Sequence, residues 1–185
     1  MINKCFIPFP ELETDRLIIR QIGTDQRDPL FEILSDPEVA RYDYFEPLSS
    51  VDEAVRFIRR YHEELDDMEE ITWGLYQKET DELIGTCCLG DFCDEARRAE
   101  IGYALNRRFW NRGFATEAVK AVIAFGFKSM DLNRIETTIT PGNDASVKVL
   151  KKLDFTLEGI VRERDLIKGK LEDGIIMSML RREYR

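Results

Sequence analysis

One strand–helix–strand segment, between residues 99 and 140, restricts the possible folds more than any other part of the sequence. Ala99–Leu105 is an apolar run typical of a strand, and a short loop leads from it to Gly113. Ala115–Met130 then carries apolar residues at helical spacing, and Arg134–Thr140 is rich in β-formers. Two neighbouring parallel strands cannot be joined by a tight turn and need a crossover connection, which is usually a helix. The segment therefore predicts an α/β fold.

The flanking segments add antiparallel strands to this parallel pair. Thr72–Gln77 and Leu83–Leu89, on either side of the polar turn Lys78–Glu82, predict a hairpin that continues into Ala99–Leu105. We therefore expect one mixed sheet flanked by helices. Further expected strands are Arg16–Ile22, Phe155–Val161 and Ile175–Leu180, and further expected helices are Pro29–Leu34, Glu38–Tyr42, Val51–Leu65 (with a Ser50/Glu53 capping box) and Asp144–Leu153. The length of 185 residues, without linker or repeat, predicts a single domain over residues 1–185.

The charge of the chain limits its partners. A net charge of −9 and a pI near 4.8 argue against binding of nucleic acid or of anionic membranes through bulk charge, and suit a cationic partner. The four cysteines and one histidine do not have the spacing of a disulfide framework or a zinc site, so no metal is expected. Met1–Pro10 lacks the apolar run of a signal peptide, and no transmembrane run occurs. We expect a cytoplasmic protein.

The start of the central helix is a candidate anion site. The first amides of a helix have no partner within the helix, and the helix dipole favours an anion there. Gly113 permits close approach of a ligand, so Asn111–Thr116 could hold a diphosphate, with Arg107, Arg108 and Arg112 as local positive charge. An ordinary loop before a helix would explain the same pattern. Other phosphate and nucleophile motifs (G-x-G-x-x-G, G-x-x-x-x-G-K-[ST], G-x-S-x-G) do not occur.

Four motifs, in order from Leu12 to Tyr184, resemble those of a known enzyme family. They are Leu12-Glu-Thr-Asp-Arg-Leu-Ile-Ile-Arg20, Glu100-Ile-Gly-Tyr103, Trp110-Asn-Arg-Gly-Phe-Ala-Thr-Glu-Ala118, and Asn143-Asp-Ala-Ser146 followed by Leu150-Lys-Lys-Leu-Asp-Phe155. The chain resembles the GNAT-superfamily N-acetyltransferases of the RimJ/RimL type, which act on ribosomal-protein alanine and related amines. Trp110 stands where the superfamily usually has Gln or Arg, and Asp154 stands where it has Gly.

The resemblance implies that acetyl-coenzyme A binds in a V-shaped cleft where the strands Glu100–Leu105 and Arg134–Thr140 splay apart. On the first strand Glu100, Gly102 and Ala104 share one face, and small residues there would let the cofactor lie close. Asn143 is expected near the pantetheine or acetyl region, or else as a helix cap. The expected cofactor-binding residues are Ile101, Gly102, Tyr103, Ala104, Leu105, Arg108, Asn111, Arg112, Gly113, Phe114, Ala115, Thr116 and Asn143.

The implied reaction is the attack of an amine on a thioester carbonyl. A protonated amine is not a nucleophile, so a base must accept its proton, directly or through water. Glu100 is the candidate base, and an ion pair with Arg97 or Arg98 is the alternative role. The thiol of the leaving group has a cysteine-like pKa of about 8.5, so a nearby hydroxyl can assist the departure of the thiolate. Ser146 is the candidate, because the family's N-x-x-S serine approaches the thioester sulfur, and helix capping is the alternative.

The acceptor side carries the weakest signals. Asp165, or Glu163 beside it, is a candidate for orienting the amine, because related enzymes carry a carboxylate near this place, and a solvated hairpin charge is the alternative. Trp73 and Phe92 are candidates for the pocket wall, although core packing would also explain them. The amine is expected to be a protein N-terminus or a small molecule, and a homodimer is possible by the resemblance. A catalytically silent acyl-coenzyme A sensor, or a structural protein that reuses the fold, remains an alternative.

Overall fold

The computed structural model describes residues 5–185, so the first four residues of Met1–Pro10 lie outside it. It contains an eight-stranded sheet with the order β1-β2-β3-β4-β5-β6-β8-β7. The strands are β1 (Leu12–Glu13), β2 (Leu17–Arg20), β3 (Ile71–Gln77), β4 (Leu83–Cys93), β5 (Arg98–Leu105), β6 (Arg134–Ile139), β7 (Thr156–Ile167) and β8 (Lys170–Leu180). The helices are α1 (Arg27–Leu34), α2 (Val51–Asp66), α3 (Phe114–Lys128) and α4 (Asp144–Lys152), and Ala40–Tyr42 forms a short 3-10 turn.

The expected mixed α/β sheet is confirmed. β5 and β6 are parallel, and α3 connects them, whereas every other neighbouring pair of strands in the described sheet is antiparallel. The helices cover both faces of this sheet. Residues of α3 and α4 belong to one buried cluster and residues of α1 and α2 to the other. Alternate residues of β3 and β5 point to the two clusters, so both faces are packed.

Two local expectations were wrong. β7 continues to Ile167, and β8 already begins at Lys170. The residues that were expected to lie between two shorter strands therefore extend both strands into one long hairpin. The capping box is also displaced by one residue. Ser50 makes no side-chain cap, and the carboxylate of Glu53 accepts the backbone N–H of Ser49 at 2.7 Å. Among the helices of residues 5–185, none has the length and hydropathy needed to cross a membrane.

Candidate active site

The parallel strands β5 and β6 separate at Glu100. Their pairing covers only Arg98–Glu100 against Arg134–Glu136, although both strands continue beyond it. Below, "the fork" means this point of separation, at Glu100 and Thr138. The carboxylate of Glu100 accepts the backbone N–H of Thr138 across the fork, at 3.1 Å. The expected splaying of these two strands is therefore present, and a carboxylate occupies its vertex.

Glu100 has none of the arginine partners that the alternative interpretation required. Arg97 pairs with Asp131 at 2.8 Å, and Arg98 pairs with Glu136 and with Asp91. Burial raises the pKa of the Glu100 carboxyl above its ordinary value, and the Thr138 amide and the charge of Arg164 oppose this only in part. A carboxylate with a raised pKa holds a proton more readily than an exposed glutamate does, which suits a general base.

The strand β5 keeps a regular alternation beyond the fork. Its register with β4 is continuous from Glu100 to Leu105, so Glu100, Gly102 and Ala104 share a face, as expected. The side chains of Ile101 and Leu105 are buried in the core, which leaves only their backbone for a ligand. The carbonyl of Leu105 already accepts the indole N–H of Trp110 at 2.7 Å. Trp110 thus fastens the following loop to the end of β5.

The loop before α3 presents a row of unused amides. Asn111 and Gly113 have positive φ angles of 59° and 84°, and α3 begins at Phe114 without a side-chain cap. Within residues 5–185, the backbone N–H groups of residues 111–116 have no acceptor. Alternating backbone conformations of this kind form a concave anion site. This geometry favours a diphosphate site over the alternative interpretation as an ordinary loop before a helix.

Glu117 closes the base of this loop. Its carboxylate accepts the Thr14 hydroxyl at 2.6 Å, the Arg16 backbone N–H at 2.9 Å and the Arg16 Nε–H at 2.7 Å. Arg16 also donates to the Arg112 carbonyl at 3.0 Å. Burial alone would raise the pKa of Glu117, but the hydrogen bonds and the charge of Arg16 lower it overall. This residue of the third motif therefore anchors α3 to β2.

The local positive charge is smaller than the sequence suggested. Arg107 lies 3.8 Å from Asp36, and Arg108 forms an ion pair with Glu82 at 2.6 Å. Both arginines therefore have acidic partners in this structure, and binding of a phosphate by Arg108 stays a prediction. Arg112 forms no ion pair with any residue in the described range 5–185. It is the arginine of the three that remains available beside the unused amides.

Ser146 contacts β5 through its hydroxyl and does not cap its helix. Asn143 caps α4, because its side-chain oxygen accepts the Ser146 backbone N–H at 3.2 Å. The Ser146 hydroxyl instead lies 2.9 Å from the hydroxyl of Tyr103 on β5. Burial raises the pKa of Tyr103 to about 12. The capping alternative therefore describes Asn143 and leaves the Ser146 hydroxyl for another role.

Asp165 lies close to the fork, and the sequence did not predict which residues surround it there. Its side chain is only 20% exposed and lies 3.5 Å from the Nε of Arg164. The pKa of Tyr44 is raised to about 12, first by burial and then by the negative charges of Asp165 and Glu100. The Tyr44 hydroxyl is therefore close enough to both candidate carboxylates to feel their charge. No motif marks Tyr44, Arg164 or Thr138, because their proximity arises only when the loop after α1 folds over the sheet.

The segment Ala40–Tyr44 is tied across the open end of the cleft. The Tyr42 hydroxyl donates to the Gly142 carbonyl at 2.8 Å, and the Thr140 hydroxyl donates to the Tyr42 carbonyl at 3.1 Å. The Lys168 ammonium, in the β7–β8 turn, donates to the Ala40 carbonyl at 2.6 Å. Burial raises the pKa of Asp43 in this segment to about 6, opposed by the charge of Lys168.

The two aromatic residues expected at the acceptor wall lie elsewhere or at its margin. Trp73 is fully buried, its indole N–H donates to the Pro10 carbonyl at 2.6 Å, and its ring packs against Phe125 of α3. It is a core residue on the face opposite to α1 and α2, so it does not line an open pocket. Phe92 is half-buried against Phe6 and lines a groove of about 460 Å³ together with acidic residues of α2 and β4.

Known acetyltransferases are similar to this chain in both sequence and fold. A family model described as an acetyltransferase (GNAT) domain matches residues 16–156. An uncharacterized N-acetyltransferase, p20, of Bacillus licheniformis is 40% identical over 173 residues, which cover 94% of this chain and 97% of p20. The structure of a GNAT-family acetyltransferase from Bacillus anthracis superimposes with a TM-score of 0.84, at 23% identity, and covers 94% of this chain and 100% of that one. A spermidine N-acetyltransferase from Vibrio cholerae, solved with coenzyme A and spermine, shares the fold with a TM-score of 0.79 at 21% identity, over 92% of this chain and 99% of that one.

Proposed function

The chain belongs to the GNAT acetyltransferase family and transfers an acetyl group from acetyl-coenzyme A to an amine. We propose that this acceptor is a primary amine that carries a further positive charge. Glu100 is the proposed base, and Ser146 is the proposed hydrogen-bond donor to the leaving thiolate. The observation that carries the proposal is the fork, where a partly buried carboxylate with a raised pKa lies between two diverging strands.

The residues around the cleft fit acetyl-coenzyme A. When bound, this molecule supplies the acetyl group as a thioester. The unused amides of residues 111–116 and the unpaired Arg112 would hold its diphosphate. The free edge of β5 at Gly102–Ala104, which β6 no longer covers, offers backbone groups to its pantetheine arm. Ser146, which follows the Asn143 cap of α4 and contacts Tyr103 of β5, would approach the thioester end of this arm.

Glu100 would accept the proton of the amine, directly or through a water molecule. An alkylammonium must lose a proton before it attacks a carbonyl, and a positioned base typically contributes about 10²–10⁴-fold in rate. Because its pKa is raised and because Arg97 and Arg98 are engaged elsewhere, Glu100 can take up this proton. The Thr138 amide holds the carboxylate in place at 3.1 Å.

A cationic amine fits the charge at the fork. The negative charges of Asp165 and Glu100 both act on the Tyr44 hydroxyl, and the chain as a whole carries a charge of −9. Together with the cation Arg164 near them, these two carboxylates leave a net negative charge, which favours a substrate with more than one positive centre over a zwitterion. Asp165 is the proposed contact for the second positive centre, and Phe92 the proposed margin of the pocket.

A thiol-release assay with a panel of amines tests this proposal. The panel contains spermidine, an aminoglycoside, a peptide with a ribosomal-protein N-terminus and a free amino acid. We expect transfer to a polycationic member, with a kcat/KM that falls as salt rises. Asp165→Asn should raise KM for that amine about tenfold and leave KM for acetyl-coenzyme A unchanged. Asp154→Asn, at the exposed end of α4, is the matched control.

Two outcomes would contradict the proposal. Preferred transfer to the free amino acid would refute a cationic acceptor. Tight binding of coenzyme A without transfer to any amine would favour the sensor alternative. Ser146→Ala is a separate test of the hydroxyl, and we expect it to slow transfer by about tenfold to a thousandfold. An unchanged rate would remove Ser146 from the reaction.

We further propose that two copies pair through the β7–β8 hairpin. Leu157, Ile160, Leu166 and Leu171 are each more than half exposed. The register places Leu157 opposite the buried Met177, and Leu166 opposite Leu171, on the sheet face that α3 and α4 cover further along. A second copy suits this surface, because β7 ends the sheet and a symmetric pair would cover the same exposed apolar side chains in both copies.

Sedimentation velocity tests this pairing. We expect the wild type to sediment as a dimer and Leu166→Lys as a monomer. Ile7→Lys, at a residue that is 73% exposed away from the sheet, should remain dimeric. A monomeric wild type, or a dimeric Leu166→Lys variant, would contradict this interface.

A cytoplasmic location is also proposed. All four cysteines are free thiols, and Cys87 is buried, which fits a reducing compartment. Fractionation of cells that express the tagged protein tests this, and recovery in the membrane or secreted fraction would contradict it.

A further inference from the structure

The Tyr103 hydroxyl joins the two sides of the cleft. Tyr103 lies on β5, three residues beyond the fork, and its oxygen is 2.9 Å from the Ser146 oxygen on α4. The tyrosine ring packs against the core cluster that includes α3, and its hydroxyl extends to Ser146 of α4. This contact links the strand whose edge is free to the helix that carries the candidate hydroxyl.

The hydrogen-bond capacity of the two hydroxyls determines the direction of this contact. A serine hydroxyl has one proton to donate and can accept two hydrogen bonds. The cap of α4 is filled by Asn143, so it does not use the Ser146 hydroxyl. If Ser146 gives its one proton to a sulfur, it can meet Tyr103 only as an acceptor, and Tyr103 must be the donor. Because burial raises the pKa of Tyr103 to about 12, its hydroxyl keeps this proton throughout the physiological range.

We propose that Tyr103 is a positioning residue, which donates to the Ser146 oxygen and so directs the Ser146 proton toward the departing sulfur. This rests on the proposed role of Ser146. Without Tyr103, the Ser146 hydroxyl is free to rotate and to donate elsewhere. A hydroxyl that already accepts one hydrogen bond is also a stronger donor for the next, because neighbouring hydrogen bonds polarise each other.

Tyr103 is not the source of the proton in this proposal. As the nitrogen–carbon bond forms, the carbon–sulfur bond breaks with its electron pair on sulfur, and the proton of the amine passes to Glu100. The sulfur receives a hydrogen bond from Ser146 and takes its proton finally from solvent. Transfer from Tyr103 would be unfavourable, because its pKa of about 12 exceeds that of a free thiol, about 8.5, by more than three units.

The test measures the thiol of bound coenzyme A as well as turnover. The ultraviolet absorbance of the thiolate, followed against pH in the complex, gives the pKa of the bound thiol. A donor that stabilises the thiolate lowers this pKa. We expect Tyr103→Phe, which removes one oxygen, to raise it by about one unit and to lower kcat about tenfold, with KM for acetyl-coenzyme A unchanged.

The design also includes Ser146→Ala, the double variant that combines Tyr103→Phe with Ser146→Ala, and Tyr184→Phe. Tyr184 packs against Phe127, remote from the fork, and its variant should behave as the wild type. The double variant should match Ser146→Ala, because Tyr103 acts only through Ser146. If Ser146→Ala shifts the thiol pKa but Tyr103→Phe does not, or if the two effects add, the positioning role of Tyr103 is refuted. If Ser146→Ala changes neither the thiol pKa nor kcat, the proposed role of Ser146 also fails.

Discussion

Removal of the Glu117 carboxylate tests the anchor beneath the diphosphate loop. In Glu117→Ala, the Thr14 hydroxyl, the Arg16 backbone N–H and the Arg16 Nε–H each lose an acceptor. A hydrogen bond to a charged group contributes about 1.5–3 kcal/mol, so three give about 5–9 kcal/mol before solvation is considered. The Arg16 side chain is 46% exposed and Glu117 only 18%, so water can replace part of this loss at Arg16. We expect the free energy of unfolding to fall by about 2–3 kcal/mol.

Urea unfolding at two pH values measures this contribution. The pKa of Glu117 in the folded protein is lowered from 4.5, so its stabilisation is complete above that value and is lost as pH falls through the folded pKa. The difference between wild type and variant should therefore be full at pH 7 and should shrink in acid. Glu79→Ala, in the exposed β3–β4 turn, is the control and should change stability little. A loss below about 0.5 kcal/mol at pH 7, or a difference that does not depend on pH, would refute the reasoning.

Two further substitutions test the loop and the segment that closes the cleft. Gly113→Ala places a β-carbon 3.3 Å from Arg16 Nη2 at a φ of 84°, so we expect about 1 kcal/mol of destabilisation and weaker binding of coenzyme A by calorimetry; unchanged affinity would separate the loop from the diphosphate. Asp43→Asn should raise the free energy of unfolding at pH 8 by up to about 3 kcal/mol, because the pKa of Asp43 is raised from 3.8 to about 6. The cost of its ionisation grows as pH rises from 3.8 and is complete above about 6. Equal gains at pH 4 and pH 8 in urea titrations would contradict this cause.

Elements with strong periodicity were predictable from the sequence. Val51–Leu65 was expected and Val51–Asp66 is observed, because its apolar stripe has the helical period and lies against the sheet. The parallel pair β5–β6 followed from the single helical connection between two apolar strands. The hairpin β7–β8 was underestimated, because its outer residues Arg162–Asp165 are charged and resemble a loop. An edge strand that is exposed on both sides carries no alternation that marks it.

The candidate site was predictable only where a motif carries it. Glu100, Gly113 and Ser146 lie in local motifs, and the structure places Glu100 against Thr138 and Ser146 against Tyr103 of the same strand, β5. The ion pair between Arg108 and Glu82 joins residues that are far apart in sequence, so no local motif predicts it. Trp73 was misplaced because an alternating strand does not show which of its two faces is packed by α3. Such pairings depend on the tertiary fold.

The pH dependence of Glu100→Gln tests the central claim most directly. If Glu100 is the base, kcat/KM of the wild type should fall as pH drops through the pKa of Glu100, which burial raises above 4.5. Glu100→Gln keeps the shape and can still meet the Thr138 amide through its carbonyl oxygen. We expect it to lose about 10²–10⁴-fold in kcat, to lose the acidic limb of the profile, and to bind acetyl-coenzyme A normally by calorimetry. A variant with wild-type kcat and an unchanged acidic limb would contradict the assignment of the base to the fork.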